Sequence, residues 1–368
     1  MTYLKVIASI LSALFLASCS TIFGVQTVPE ARMGYNESVT RSGNQQLLLN
    51  LVRLRYRDSA TFLELSSVVT QYGYVGGLGA NVSGELRNIR GATGGLNGSI
   101  AYEERPTIAY EPLQGSEFAQ RMLTPIAPET IVLMSQSGWS IERLLLCCVE
   151  KLNNLSNGPS ASGPTPQSFP DNRLFRQLAE TLRNLQSSEV LSIDMQGTDQ
   201  DSLTPTISFD LSRASQIGLA DEVAHAKSLI GLPTSRNSFA ITSSGVSRGS
   251  SEIHMKGRSL LGVLYALSHA VDVPTSDVER GLVTVSQGSQ GESLSWRTDF
   301  LSDTFGIRAS QSEPKNAFTK VFYRDNWFWI ADNDLDAKTT FSLLRFLTAL
   351  QSAAGEGATP LLTLSAGG

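Results

Sequence analysis

YGYVGGLGANVSGELRNIRGATGGLNGSIAYEERPTIAYEP, residues 72–112, decides the fold of the N-terminal half of the chain. Over residues 72–86, apolar or small residues hold the even-numbered positions and mostly polar or small residues the odd-numbered ones. Successive side chains of a β-strand point to opposite faces, so an alternation with period 2 predicts a strand. The alternation resumes around Ile100. The sequence therefore predicts a Gly-rich amphipathic β-hairpin over residues 72–104.

The expected register of this hairpin keeps the apolar residues of both strands on one face. A slip of one residue would move every side chain of a strand to the other face. The pairs that satisfy this condition are Leu86 with Gly94, Val82 with Gly98, and Leu78 with Tyr102. The residues of the candidate membrane-facing surface are Leu78, Ala80, Val82, Leu86, Leu96, Ile100 and Tyr102.

Two interpretations of the hairpin are open at this stage. In the first, it is an amphipathic ribbon that packs on its own protein. In the second, each protomer of a ring inserts its hairpin into the membrane as part of a shared β-barrel, whose strands typically have about 9–11 residues. A lone hairpin cannot span a bilayer, because its edges would leave backbone groups unpaired in lipid. The second interpretation therefore requires a homo-oligomer.

The start of the chain indicates export and lipid attachment. Lys5 precedes an apolar run, residues 6–17, which is shorter than the roughly 20 residues of a membrane-spanning helix and fits a cleaved secretory signal. The run ends in Leu16-Ala17-Ser18-Cys19, which resembles the lipobox of bacterial lipoprotein precursors.

That resemblance implies cleavage between Ser18 and Cys19, and a mature Cys19 that carries an S-diacylglycerol group and an N-acyl chain such as palmitate. No other cofactor is expected. Two or more acyl chains anchor a protein stably, whereas one binds only marginally. The residue after the cysteine is Ser20. An Asp at this position would resemble an inner-membrane retention signal. We therefore expect a protein held in the outer membrane of a Gram-negative bacterium and facing the periplasm.

Length and composition bound the remaining possibilities. The 368 residues have 41% hydrophobic content and a net charge of −5, which suits packed domains and argues against nucleic-acid binding. The predicted organisation is a signal peptide (1–18), a lipidated tether (19–42), an N-terminal domain (43–155) with a helix, the hairpin 72–104 and a helix 141–155, a Pro/Gly/Ser-rich linker (156–172) and a C-terminal α+β domain (173–368).

The predicted fold class is α+β with two domains. Strand–strand–helix units are expected in the C-terminal half, one ending in a helix from about Ser259 and a second with a hairpin turn at Arg324-Asp325-Asn326. The two units resemble copies of one repeat. In the N-terminal half, helical spacing of Leu47, Leu51 and Leu54, with Leu48 and Val52 beside them, predicts a helix that begins near Gly43 and Asn44.

Residues that often carry chemistry do not form a recognisable site. Asp332, Asp334 and Asp336 lack the glycine and glutamate that complete a calcium loop, so we expect a turn in which Asp336 caps a helix. Cys147 and Cys148 are adjacent on a predicted helix and are expected to be buried thiols. The three histidines, His225, His254 and His269, lack ligand spacing, and Trp327 and Trp329 are expected on a core strand. No catalytic or metal-binding motif occurs, so we predict a protein that is not an enzyme.

The favoured function is structural, in envelope assembly or export, in the form of an oligomeric channel subunit. The alternative is a monomeric periplasmic module that binds an envelope polymer or an envelope protein partner. A hydrolase tethered to the membrane is a third class, with no motif in its favour. The expected partners are the membrane, through the lipid anchor, and further copies of the chain.

Overall fold

The computed structural model describes residues 27–83, 93–112, 115–158, 166, 169–197, 203–243, 252–288, 290–292 and 294–352. Helices combine with sheets of mixed strand direction, which confirms the α+β class. The chain divides into a hairpin unit, Thr61–Phe118, and a main unit formed by the described residues on both sides of it.

The elements follow one another in a mixed order. The described helices are α1 (Thr27–Arg55), α2 (Ser116–Leu123), α3 (Pro128–Gln136), α4 (Ile141–Cys148), α5 (Arg173–Ser187), α6 (Leu211–Gln216), α7 (Ala220–Ile230), α8 (Leu260–Ser268), α9 (Thr275–Glu279) and α10 (Leu335–Ser352), and Trp296–Phe300 forms a π-helical turn. The described strands are β1 (Leu63–Ser83), β2 (Thr93–Pro112), β3 (Val149–Leu152), β4 (Leu155–Ser156), β5 (Leu191–Gln196), β6 (Thr204–Phe209), β7 (Ser238–Thr242), β8 (Glu252–Gly257), β9 (Arg308–Ser310), β10 (Ala317–Tyr323) and β11 (Asn326–Ala331).

A six-stranded sheet organises the larger core of the main unit. Its strand order is β4-β3-β8-β7-β6-β5, and all neighbours are antiparallel except β7 and β8. Apolar side chains from this sheet and from α3, α4 and α5 pack together and exclude water, which is the main stabilising term in such a core. Its members include Ile131, Ile141, Leu145, Leu182, Ile207 and Ile253.

A three-stranded antiparallel sheet of order β10-β11-β9 forms a second core with α10. Arg324 and Asp325 have φ of +48° and +62°, and these left-handed residues form the tight turn between β10 and β11. This confirms the hairpin turn expected there. Phe328 and Ile330 on β11 are fully buried, and helix α1 packs against β10.

Helix α1 begins earlier than predicted. It starts at Thr27, so much of the expected tether 19–42 is helical, whereas the prediction placed the start near Gly43. Pro29 followed by Glu30 is a helix-start signal that could have revealed this, because proline is tolerated in the first helical turn and acidic residues are favoured there. The predicted apolar stripe is confirmed, since its five residues are all buried: Leu47, Leu48, Leu51, Val52 and Leu54.

The expected helix 141–155 is wrong in its second half. Helix α4 ends at Cys148, and Val149–Leu152 continues as a strand that pairs with β8. The Arg258 guanidinium donates hydrogen bonds to the carbonyls of Leu146 (2.9 Å) and Cys147 (3.0 Å). The carbonyl groups at the end of the helix thus gain a hydrogen-bond donor from a residue distant in the sequence.

The compact units do not follow the predicted domain boundary at residues 156–172. β3 precedes this segment and β4 ends at its first residue, Ser156, yet both belong to the same sheet as β8, which follows it. Near the two ends of the segment, the Asn172 side chain donates a hydrogen bond of 3.2 Å to the side-chain oxygen of Asn157. Residues 43–60 and 119–155 therefore share one unit with residues 173–352.

The two strand–strand–helix units differ in strand direction. β7 and β8 are parallel neighbours, whereas β10 and β11 form an antiparallel hairpin. The repeat suggested by the sequence is therefore wrong at the level of topology.

Candidate functional site

The most distinctive feature of the described chain is a long two-stranded antiparallel ribbon. β1 and β2 form 20 residue pairs, from Leu63 with Pro112 to Ser83 with Thr93. The ribbon is thus longer than the predicted hairpin 72–104. Its register has one irregularity, between Leu65 and its next paired residue, Ser67.

The observed register differs from the prediction by four residues. Val82 pairs with Gly94 and Leu78 with Gly98, whereas the prediction paired them with Gly98 and Tyr102. From Ser67 to Ser83, even-numbered positions still pair with even-numbered positions, so the apolar residues of the predicted hairpin fall on one face as expected. A shift by an even number preserves this condition, which is why the alternation alone could not choose between the two registers.

The register places the candidate membrane-facing residues as follows. Ala80 pairs with Leu96, and Tyr102 pairs with Tyr74. Leu78, Val82 and Ile100 each pair with a glycine, in the order Gly98, Gly94 and Gly76. Leu86 lies outside the described residues, as do Leu16, Ala17, Ser18 and Cys19.

Both long edges of the ribbon are open. Neither β1 nor β2 pairs with a third strand in the part of the chain that the structure describes. An edge strand presents a row of unpaired N–H and C=O groups, and an isolated two-stranded hairpin is at best marginally stable in water. The ribbon is therefore suited to pair with further strands along either edge.

A second site, not foreseen from the sequence, lies in the main unit at the end of α1. The Asp58 N–H donates to the Arg53 carbonyl (2.9 Å) and the Arg57 N–H to the Leu54 carbonyl (3.1 Å), the pattern of a Schellman motif. Arg57 has the left-handed φ of +62° that glycine usually supplies at this position. The chain thus leaves α1 in a defined direction a few residues before the hairpin unit.

Arg55, Tyr56, Arg57 and Asp58, which we call the RYRD cluster, bind three separate segments. The Arg55 side chain donates to the carbonyl of Thr284 (2.9 Å), and burial lowers the pKa of Arg55 to about 10. The Arg57 side chain donates to the Thr284 hydroxyl (2.7 Å).

Two hydrogen bonds between a tyrosine and a carboxylate connect the RYRD cluster to its partners. Tyr56 donates to Asp277 (2.5 Å) and Tyr323 donates to Asp58 (2.5 Å), which also accepts from Arg324 (2.9 Å). Burial and the bond to Asp277 raise the pKa of Tyr56 above its ordinary value. The partners of the cluster lie between 216 and 266 residues along the chain, so no local pattern could predict them.

The remaining candidate residues have structural roles. Cys147 and Cys148 are unpaired and buried as predicted, and the hydrogen bond between them, with burial, raises the pKa of the Cys148 thiol well above its ordinary value. A buried thiol with a raised pKa is unreactive. His225 contacts Gln177 (2.9 Å) and His254 contacts Thr242 (3.1 Å). Each histidine is thus engaged with a neighbouring side chain on another element.

The three aspartates near α10 are each paired with a cation. The cap is Asp334, whose carboxylate accepts a hydrogen bond from the Ala337 N–H (3.1 Å), and the prediction of Asp336 as the cap is wrong. Asp336 instead pairs with the buried Arg143 (2.7 Å), and Asp332 pairs with Lys338 (2.8 Å). Within the described residues, no group of three or more His, Cys, Asp or Glu residues could hold a metal ion.

The tryptophans of β11 lie on the face opposite its core residues. Trp327 and Trp329 are half-buried, while Phe328 and Ile330 between them point into the core. Arg308 lies over the ring of Trp329, with its guanidinium carbon 5.4 Å from the centroid. The prediction of a core strand is confirmed, and its core face is formed by Phe328 and Ile330.

A groove of about 350 Å³ lies between the N-terminal half of α1 and β10. Its charged residues, Glu37 and Arg41, pair with each other at 2.7 Å. The mutual pairing leaves the groove without an unbalanced charge that would select a ligand. No described helix combines the length and the apolar composition needed to cross a membrane.

Comparisons of the chain with protein-family models, with curated proteins and with solved structures found no match.

Proposed function

We propose that this protein is an outer-membrane lipoprotein, anchored through Cys19 and facing the periplasm, with a structural role in envelope assembly or export as an oligomeric channel subunit. The observation that carries the proposal is the ribbon of 20 residue pairs whose two edges are open in the described chain. Copies of the same ribbon, placed side by side, would satisfy those edges with main-chain hydrogen bonds.

The lipid anchor supports the same function. Acyl chains on Cys19 would hold every copy against one bilayer, so that ribbons meet in a plane at a raised local concentration. Closure of the ring removes the last unpaired edges, which is the condition for strands to enter lipid. Lipid attachment and open edges thus favour assembly at the membrane.

Removal of the ribbon gives a direct test. The first pair, Leu63 and Pro112, joins the two ends of the ribbon, so a short Gly-Ser linker can replace residues 63–112. We expect the lipidated wild-type protein to run as a detergent-stable, heat-modifiable oligomer in outer-membrane extracts and to conduct ions in planar bilayers. The deletion variant should be monomeric and non-conducting while its main unit keeps its circular dichroism spectrum.

Two results would contradict the proposal. One is a strictly monomeric wild-type protein that carbonate extracts from membranes, which would favour the alternative of a monomeric periplasmic binding module. The other is an oligomer of unchanged size in the deletion variant, which would place the contacts between copies outside the ribbon.

A further inference from the structure

The register divides the ribbon into two halves that differ in charge. We call the ten pairs from Tyr74 with Tyr102 to Ser83 with Thr93 the apical half, and the ten pairs from Leu63 with Pro112 to Gly73 with Glu103 the basal half. No Asp, Glu, Lys or Arg occurs in the apical half. The charged residues of the basal half are Glu64, Glu103, Glu104, Arg105 and Glu111.

The apical half also separates residue types between its two faces. All of its Asn, Ser and Thr residues occupy odd-numbered positions, and these are Asn81, Ser83, Thr93, Asn97 and Ser99. Its even-numbered positions hold only Tyr, Leu, Ile, Val, Ala and Gly. Because even-numbered positions pair with even-numbered positions throughout this half, one face of the sheet is apolar, and the other is polar or small except at Val75. Membrane-spanning strands show this division.

Backbone donors are distributed in the same way. Every residue of the apical half has an N–H group, whereas the basal half contains Pro106 and Pro112, which do not. Each backbone group that remains unpaired in lipid costs several kcal/mol, roughly, so a strand within the bilayer must be able to donate at every position. Water can satisfy the groups that a proline leaves unpaired. The prolines therefore lie in the half that tolerates them.

The length of the apical half matches the membrane. Ten residues at about 3.3 Å per residue span about 33 Å, and a tilt of about 40° reduces this to about 25 Å across the bilayer. That is the height of the apolar band of outer-membrane strands, about 25 Å. The Tyr74–Tyr102 pair marks one end of the half, where aromatic residues are enriched at membrane interfaces. Charge returns at Glu85 beyond the other end.

We propose that the apical half lies within the hydrocarbon layer of the bilayer, with its even-numbered face against lipid, and that the basal half extends the assembly into water. The inference rests on the proposed function, because only a ring of copies pairs the edges of the apical half. The odd-numbered face then lines the interior of the ring. A continuous sheet thereby connects the membrane with the aqueous part of the assembly.

Depth measurements on the full-length lipidated protein test this placement. Single cysteines replace Leu78 or Ile100 in the apical half and Val68 or Ile108 in the basal half, and each carries an environment-sensitive fluorophore. Wild-type protein gives the labelling background, since Cys147 and Cys148 are buried. In vesicles of phosphatidylethanolamine and phosphatidylglycerol, we expect acyl-chain nitroxides to quench the apical probes at least about threefold more strongly than the basal probes. A water-soluble quencher should give the opposite order.

Oligomeric state, measured on the same samples by crosslinking, separates the two proposals. Oligomers whose apical and basal probes are equally accessible to the soluble quencher would overturn the membrane placement and leave the proposed function standing. Monomers without lipid quenching would overturn both. If Leu78→Cys or Ile100→Cys prevents assembly, Ala80→Cys and Val82→Cys replace them, and lipid quenching at neither would also overturn the placement.

Discussion

Tyr56 and Tyr323 donate hydrogen bonds of equal length, 2.5 Å, to carboxylates in unequal surroundings. Tyr56 is 4% exposed and the Asp277 side chain is fully buried, whereas about a third of the Asp58 side chain is exposed. A buried carboxylate that loses a donor retains the cost of its desolvation, so we expect Tyr56→Phe to lower the free energy of unfolding by about 1–3 kcal/mol. Tyr323→Phe should cost less than about 1 kcal/mol, because water reaches Asp58.

Chemical denaturation of the purified protein, followed by circular dichroism, measures both values. Tyr323→Phe is a matched control, since each variant removes one hydroxyl from one tyrosine–aspartate pair. Equal losses of stability in the two variants would contradict the role assigned to burial.

His269 gives the main unit a dependence on pH. It is 5% exposed, and burial, together with the charges of Arg55 and Arg258, lowers its pKa to about 3. The pKa of histidine in an unfolded chain is about 6.5. Between that pH and about pH 3, His269 is therefore protonated in the unfolded state and neutral in the folded state. Stability therefore falls as the pH falls through this window, by about 2–3 kcal/mol between pH 6.5 and pH 4.5.

His269→Gln removes the titrating group, and we expect it to flatten the unfolding free energy between pH 6.5 and pH 4.5. Tryptophan fluorescence reports the transition, because Trp296 lies 4.4 Å from the His269 ring, centroid to centroid. His225→Gln changes an exposed histidine and should leave the profile unaltered. An unchanged slope in His269→Gln would show that other groups control acid stability.

At the residue scale, sequence patterns predicted burial better than partners. The apolar stripe of α1 and the buried Cys147 and Cys148 follow from spacing and composition. The sequence could not distinguish Asp334 from Asp336 as the cap, because both lie where the helix begins and the start of α10 at Leu335 is not marked by a pattern. Asp336 is in the first turn of the helix and pairs with Arg143. The hydrogen-bond partner of a polar side chain is often distant in the sequence, and the pattern of neighbouring residues does not indicate which partner it is.

At the scale of elements, the hairpin shows what alternation determines and what it leaves open. The period of 2 predicted two antiparallel strands and the residues that lie on the same face. The observed pairing differs from the predicted pairing by four residues. The strands extend beyond the regular alternation, to Leu63 and Pro112, because β pairing continues where apolar and polar residues no longer alternate strictly. The adjacent β-branched residues Val68 and Val69 favour a strand there without showing period 2. The end of α4 was missed for a related reason, since β8 recruits Val149–Leu152 into a sheet.

We expect the two faces of the apical half to differ in their tolerance of charge. Val82 occupies an even-numbered position and Ser83 an odd-numbered one at the apical end of β1. If the even-numbered face meets lipid, Val82→Asp introduces a carboxylate there at a cost of up to roughly 2 kcal/mol, less near the interface, while Ser83→Asp faces the polar interior of the ring. We expect Val82→Asp to reduce the yield of membrane oligomer severalfold, and Ser83→Asp to assemble like wild type.

Heat-modifiability in outer-membrane extracts provides the measurement. Circular dichroism of both variants in detergent verifies that the main unit has folded. Equal assembly of Val82→Asp and Ser83→Asp would argue that neither face lies against lipid.

At the scale of the whole molecule, composition suggested a boundary that the fold does not use. The segment 156–172 has the Pro, Gly and Ser content of a linker, yet the hydrogen bond between Asn157 and Asn172 joins its two ends. The division of the chain instead separates the hairpin unit from a main unit built of segments on both sides of it. The sequence did not reveal this division, because strands with regular alternation occur within a larger sheet as well as in a separate hairpin unit.

Anchoring and sorting of the whole protein are separable at two neighbouring residues. Cys19→Ser removes the thiol that would be acylated, and with it the several acyl chains whose burial, at about 0.8 kcal/mol per CH₂ group, would hold the protein in the membrane. We expect this variant to lose lipid-derived mass and to leave the outer-membrane fraction. Ser20→Asp keeps the acylated cysteine but creates the sequence that resembles the inner-membrane retention signal, so it should remain lipidated and move to the inner-membrane fraction. Density-gradient fractionation with mass spectrometry of the N-terminal peptide distinguishes the two variants, and a Cys19→Ser protein that remains fully in the outer membrane would contradict anchoring through this residue.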